Sequence, residues 1–336
     1  MALSLVIAYA MAFPLPFLAP IFALMLTVKP APPMGWKTLL KLILLVLLTL
    51  GLGLLLIPML TRYPVSGLLL VAVGLYFSTY ITVNLGKALV GTFLTVGFTL
   101  ISAAGTLSSA LATLVIWALV LGIALAVICH RIVYPLFPED PATDGPPPPP
   151  PASTPERSNW IALRGTLIVL PAYFLALTNP SAYLAIIMKS VSLGQQSSTV
   201  DARNAGNELL GSTFLGGCFA AMFWVMLDML PNLWMFFWCM LLFGIYFAGK
   251  IYQVLKSSHP ASFWLNVATT MLILLGPAVE DSANGKDVYA AFLVRMGLFV
   301  AVTLYAWLAV YLLEYLRTRH LGRKAPSIKD TELTTC

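Results

Sequence analysis

Long apolar stretches decide what solvent this chain can fold in. Residues 39–60 and 298–313 are almost wholly aliphatic and aromatic, and about 20 such residues span a hydrocarbon layer about 30 Å thick. Helices are the natural form for these stretches, because a spanning helix satisfies its own backbone hydrogen bonds, which lipid cannot do. The rest of the 336 residues agrees: 60% are hydrophobic and 10% charged, against about 25% charged in soluble domains. The expected class is an all-α integral membrane protein.

The net charge of +6 does not point to nucleic acid, since the basic residues sit in short loops between apolar runs. Cys129, Cys218, Cys239 and Cys336 have neither metal spacing nor the pattern of a disulfide framework. His130, His259 and His320 are scattered at expected membrane edges. No cofactor or metal is expected. Residues 3–13 resemble a signal peptide, with Ala8-Tyr9-Ala10 as a small-x-small site. No Lys or Arg precedes them, so they read as a retained membrane segment.

A polar stretch at 138–159 contains six consecutive prolines, Pro146 to Pro151. Polyproline is extended and semi-rigid, so this is expected to be a cytoplasmic linker between a first membrane repeat (1–137) and a second (160–316), with a tail at 317–336. The halves share a pattern: a Pro-broken apolar pair, a basic residue opening a Gly-containing helix (Lys37, Arg203), and matching text, Gly74-Leu75-Tyr76-Phe77 against Gly244-Ile245-Tyr246-Phe247. About twelve membrane segments are predicted as two parallel six-segment repeats: 3–13, 17–28, 38–60, 65–83, 88–104, 107–129, 161–177, 181–193, 204–228, 232–248, 262–277 and 288–315. The first, second and eighth are too short to cross fully at 1.5 Å per residue and are expected to be half-depth or re-entrant. With the N-terminus in the cytoplasm, that side receives most basic residues, Lys189 and Arg203 included, while the far side receives Arg62 and Lys286. Twelve segments therefore satisfy the positive-inside rule, and an even number per half makes the repeats parallel.

Ionisable groups at bilayer depth are candidate functional sites. Arg295 lies about two turns into the last helix among Phe292, Leu293, Leu298 and Phe299. It either binds a substrate carboxylate or pairs with an internal acid such as Glu208 or Asp228. Arg203, Asn204, Asn207 and Glu208 fall on one broad helical face that would line an aqueous cavity or meet a partner helix. Arg203, Asn204, Asn207 and Arg295 are the candidate substrate-binding residues; Glu208 and Asp228 are the candidate proton-coupling acids. Thr92, Thr95, Thr99, Ser102 and Thr106 draw a hydroxyl stripe, and Asn266, Thr269 and Thr270 a shorter one. Small-residue helix packing explains such stripes; a substrate path, with Thr95, Thr99, Asn266 and Thr270 lining it, is the functional alternative. No nucleotide-binding, Ser-x-x-Lys or His-Glu-x-x-His motif occurs, and no enzymatic activity is expected.

The break Thr178-Asn179-Pro180, the helix led by Arg203 with Gly211-Ser212-Thr213 and Gly216-Gly217, the aromatic helix after Pro231 and the final helix with Arg295 together resemble the membrane domain of the fusaric-acid-resistance family. That family includes bacterial aromatic-acid exporters, and plant aluminium-activated malate channels look like distant relatives. The resemblance covers 161–315, and 1–137 through the internal repeat. It implies a multi-pass bacterial inner-membrane efflux protein with cytoplasmic termini. It also implies a periplasmic adaptor, a small inner-membrane partner and an outer-membrane channel. A Pro-rich linker and short tail stand where the larger exporters carry a cytoplasmic domain. The expected activity is proton-coupled export of small aromatic or carboxylate compounds. The alternatives are a passive organic-anion channel and a non-transporting scaffold.

Overall fold

The computed structural model describes residues 1–28, 31–138, 155–196 and 205–324. The polyproline run, Arg203, Asn204 and residues 325–336 lie outside the described residues. Among the described residues the chain is all-helical, without a strand. The helices are α1 (Ala2–Ala10), α2 (Leu18–Thr27), α3 (Trp36–Arg62), α4 (Pro64–Asn84), α5 (Ala88–Leu107), α6 (Ser109–Val133), α7 (Pro155–Thr178), α8 (Pro180–Gln196), α9 (Ala205–Met229), α10 (Leu233–Ile251), α11 (Ala261–Ala283) and α12 (Val288–Lys324). Nine of these, α3 to α7 and α9 to α12, are long and apolar enough to cross a membrane.

Local chemistry sets the boundaries. Pro64 and Pro180 open α4 and α8, where a missing N–H costs nothing. Ser108 accepts a hydrogen bond from the Leu111 N–H (3.0 Å) and Asn232 from the Met235 N–H (2.7 Å), so α6 and α10 start on side-chain caps. Helix α7 already includes Pro155, inside the stretch expected as linker, and α12 continues past the expected membrane edge at 315.

Segments α1 and α2 form a short hairpin of nine and ten residues, each about 15 Å long at 1.5 Å per residue. The turn between them carries Pro14 and Pro16, with Ala12 and Leu15 at φ of 50° and 49°, a costly conformation for residues with a Cβ. The hairpin is covered by protein: α1 packs on α10 and α2 on α6. Half-depth helices are tolerated under such cover. Helix α8 is longer than its apolar core suggests, with 17 residues, about 25 Å.

Helix α3 crosses α5 in backbone contact. A Cβ at Gly53 would stand 2.1 Å from the Gly97 carbonyl oxygen, and one at Gly97 would stand 2.6 Å from the Thr49 carbonyl oxygen. Residues 97–101 of α5 form a π turn there. Small residues of this kind let membrane helices approach closely.

The packing partners recur at a spacing of six helices. Helix α4 packs on α7 as α10 does on α1; α2 on α6 as α8 on α12; α3 on α5 as α9 on α11; and α5 on α8 as α11 on α2. Side-chain contacts fix which helix ends lie together. Arg131 stands over the Trp36 ring and Arg164 lies 4.0 Å from Glu314 at one end. Tyr9 meets Phe236 and the Tyr289 hydroxyl reaches Asp228 at the other. The first end also carries Lys37, Lys87, Lys250 and Arg317; the second carries Arg62, Asp281, Lys286 and Asp287. Lys189 departs from the sequence expectation. It is wholly buried within the bundle, not in a loop, so it drops out of the charge argument for topology.

Candidate functional site

A cavity of about 230 Å³ opens where the two halves meet. Its wall is built by α2, α3, α5 and α6 from one half and by α8 and α11 from the other. Phe22, Phe93, Val96, Ile123, Met188 and Ile273 give it an apolar surface, and the polar points on the wall are Thr92, Ser192 and Thr269. No charged residue lines it. Thr92 and Thr269 each donate their hydroxyl to the carbonyl one turn back, of Ala88 and Leu265 (both 2.8 Å). Their oxygens remain acceptors. Ligand sites commonly combine an apolar wall with a few placed polar groups.

Positions of α8 and α11 adjacent to those lining the cavity build a polar cluster centred on Lys189, and none of its residues is part of the lining. The Lys189 ammonium donates to Asn266 Oδ1 (3.1 Å) and Thr270 Oγ1 (2.7 Å). Thr270 in turn donates to the Asn266 carbonyl (2.6 Å), and Asn266 Nδ2 donates to Ser212 Oγ of α9. Lys189, Asn266, Thr270 and Ser212 are all fully buried. Lys189 was not among the candidates read from the sequence. The signal was present, a lysine flanked by Ile186, Ile187, Met188 and Val191, but the short apolar count placed it at a membrane edge.

The candidate substrate and coupling residues fall at opposite ends of the bundle. Arg295 Nη1 is 2.6 Å from Asp281 Oδ2, and Lys286 is 3.6 Å from Asp281 Oδ1. The side chain of Asp281 is 6% exposed and that of Arg295 19%. Of the two readings open for Arg295, internal pairing is the arrangement observed, with Asp281 in place of Glu208 or Asp228. Asp228 is exposed at the same end and accepts from the Tyr289 hydroxyl (3.3 Å). Glu208 is partly buried in the first turn of α9. The 20 residues between Glu208 and Asp228 make about 30 Å along one helix, so Glu208 and Arg295 do not share a site. Asn207 is helical in α9.

The hydroxyl stripe divides. Thr95 is buried and hydrogen-bonds Ser78 of α4 (2.7 Å), Thr99 donates to the Thr95 carbonyl (2.7 Å), and Ser102 meets the buried Tyr173 hydroxyl of α7 (2.9 Å). Thr95 and Ser102 join helices, Thr99 bonds within its own, and none of the three lines the cavity, whereas Thr92 on the same helix does. On α11, Asn266 and Thr270 hold Lys189 while Thr269 faces the cavity. Each pair of helix faces therefore has one packing side and one cavity side, a distinction that spacing alone does not supply. Among the described residues no group of His, Cys, Asp and Glu is placed to hold a metal.

Residues 1–133 match the model of a family described as "Protein of unknown function (DUF2955)". No curated protein and no solved structure matches the chain. The matched family is uncharacterised and does not carry the fusaric-acid-resistance name. It falls on the half whose resemblance rested on the internal repeat alone. What stands is a multi-pass helical membrane protein.

Proposed function

We propose that this protein is a secondary transporter that moves small organic compounds, aromatic or carboxylate in character, through the interface between two six-helix repeats. The observation that carries this reading is the apolar cavity walled jointly by α2, α3, α5 and α6 and by α8 and α11. Transporter substrates bind near the midplane at repeat interfaces. The packing partners repeated six helices apart support two parallel repeats, related by an axis along the membrane normal. The greater share of basic residues at the Lys37 end supports a cytoplasmic placement of that end in a bacterial inner membrane.

Export coupled to inward proton flow is the direction and energy source we assign, with Glu208 at the Lys37 end as the proton-exchanging acid. A periplasmic adaptor and an outer-membrane channel would complete the route, as the fusaric-acid-resistance resemblance implies. A passive anion channel fits less well, because a wall without charge and with three hydroxyl-bearing residues offers little to a hydrated ion.

Purified protein reconstituted in liposomes preloaded with benzoate tests the assignment. Saturable exchange of labelled benzoate, accelerated by an imposed pH gradient, is expected. Voltage-driven current without saturation would identify a channel, and no benzoate movement above empty liposomes would overturn the reading.

A further inference from the structure

We infer that Lys189 is the cationic anchor for the substrate's carboxylate, with the apolar remainder of the molecule lying in the adjoining cavity. This rests on the reading of that cavity as the transport route. Among the described residues the other buried side-chain cation, Arg164, faces Glu314, and the half-buried Arg295 faces Asp281. The Lys189 ammonium, wholly buried, meets only neutral oxygens, those of Asn266 and Thr270. Among the described residues no carboxylate pairs with it. Acids do occur on the helices packed against α8, but at their ends. Glu208 stands one turn before Ser212, in the first turn of α9, and forms no ion pair with Lys189. Glu280 and Asp281 of α11 lie 14 and 15 residues beyond Asn266, over about 20 Å along the helix, and Glu314 of α12 is held between Arg164 and Arg317. A cation taken out of water among neutral groups is stabilised by an anion brought to it.

The cavity supplies the rest of the ligand's description. Helices α8 and α11 present Met188, Ser192 and Thr269 to the cavity and, from adjacent positions, Lys189, Asn266 and Thr270 to the cluster. The ammonium belongs to the cluster and does not line the cavity itself, and its flexible four-carbon stem is what would bring it to a ligand there. Apolar cavities of about 150 Å³ take up benzene, so 230 Å³ accommodates a one-ring body. One cation and an apolar chamber match a monovalent organic carboxylate. A phosphate or dicarboxylate would bring a second charge with nothing to face it.

The test is calorimetric titration of the full-length protein in detergent with benzoate and with its neutral isostere benzamide, alongside Lys189→Gln and Asn266→Asp. Wild type is expected to bind benzoate at least tenfold more tightly than benzamide. Lys189→Gln should abolish that preference. Asn266→Asp should abolish it too, because it gives the ammonium an internal counter-ion while keeping the side chain's shape. Should Lys189→Gln fail to fold, Asn266→Asp and the wild-type comparison decide. Equal binding of benzoate and benzamide by wild type, or unchanged benzoate preference in a folded variant, would overturn the assignment. Liposome uptake separates this from the wider reading. If both variants exchange benzoate at the wild-type rate, the anchor is wrong and transport stands. If wild type exchanges none, transport falls, and the titration still decides whether Lys189 binds carboxylates.

Discussion

Arg295 Nη1 lies 2.6 Å from Asp281 Oδ2, joining α12 to the end of α11. The arginine read from the sequence as either a substrate ligand or one half of an internal pair is thus neutralised from within the protein. Breaking a buried pair by removing one partner typically costs about 3–5 kcal/mol. Asp281→Asn is therefore expected to lower thermal stability sharply, and Asp281→Asn with Arg295→Gln to recover much of the loss. Melting curves of the purified variants, followed by tryptophan fluorescence, check this.

The contact between α3 and α5 makes a second prediction. A methyl group at Gly53 would meet the Gly97 carbonyl at 2.1 Å, a backbone atom that cannot swing aside. Gly53→Ala is expected to destabilise by about 1–3 kcal/mol, as overpacking does. Gly51→Ala, two residues earlier with nothing within 4 Å of the added atom, should be neutral or slightly stabilising. Thermal melting in the same detergent distinguishes them.

Much of the fold was legible because hydropathy reports burial in lipid directly. The apolar runs at 39–60 and 107–129 became α3 and α6 with small shifts at the ends. Partnerships between helices were not legible. Nothing in the spacing of Arg295 pairs it with Asp281, 14 residues earlier, because a turn at the bundle's end brings α11 and α12 together. Lys189 was missed for a related reason. Its segment, 181–193, is short enough to be read as half-depth, which put Lys189 with the cytoplasmic basic residues, while the helix spans Pro180–Gln196 and holds the lysine wholly inside the bundle. The hydroxyl stripe at Thr95 and Thr99 was visible, but only the neighbours in space reveal that it faces α4 and its own helix.

That division of the stripe gives a third prediction. Thr95→Val removes one buried hydrogen-bond partner and leaves Ser78 short of a contact. It should cost stability by about 1–3 kcal/mol and leave the substrate affinity of the folded protein unchanged. Thr92→Val and Thr269→Val face the cavity and should alter the apparent affinity for exchange with little effect on melting. Exchange kinetics measured with melting curves on the same preparations check both halves.

Glu208 separates coupling from binding. It lies in the first turn of α9, at the end opposite the Arg295–Asp281 pair. Glu208→Gln is expected to retain benzoate exchange at equal pH on both sides and to lose the acceleration given by a pH gradient. Gradient-driven export undiminished in this variant would remove Glu208 from the coupling step.

If substrate travels through the cavity shared by the two halves, filling that cavity blocks its passage. Val96→Trp and Ile273→Trp place bulk on opposite walls, and Ile245→Trp, on an exposed face of α10, is the control. Benzoate exchange is expected to fall at least tenfold in both cavity variants while the control exchanges at the wild-type rate. Wild-type exchange by correctly folded Val96→Trp and Ile273→Trp proteins would contradict that route.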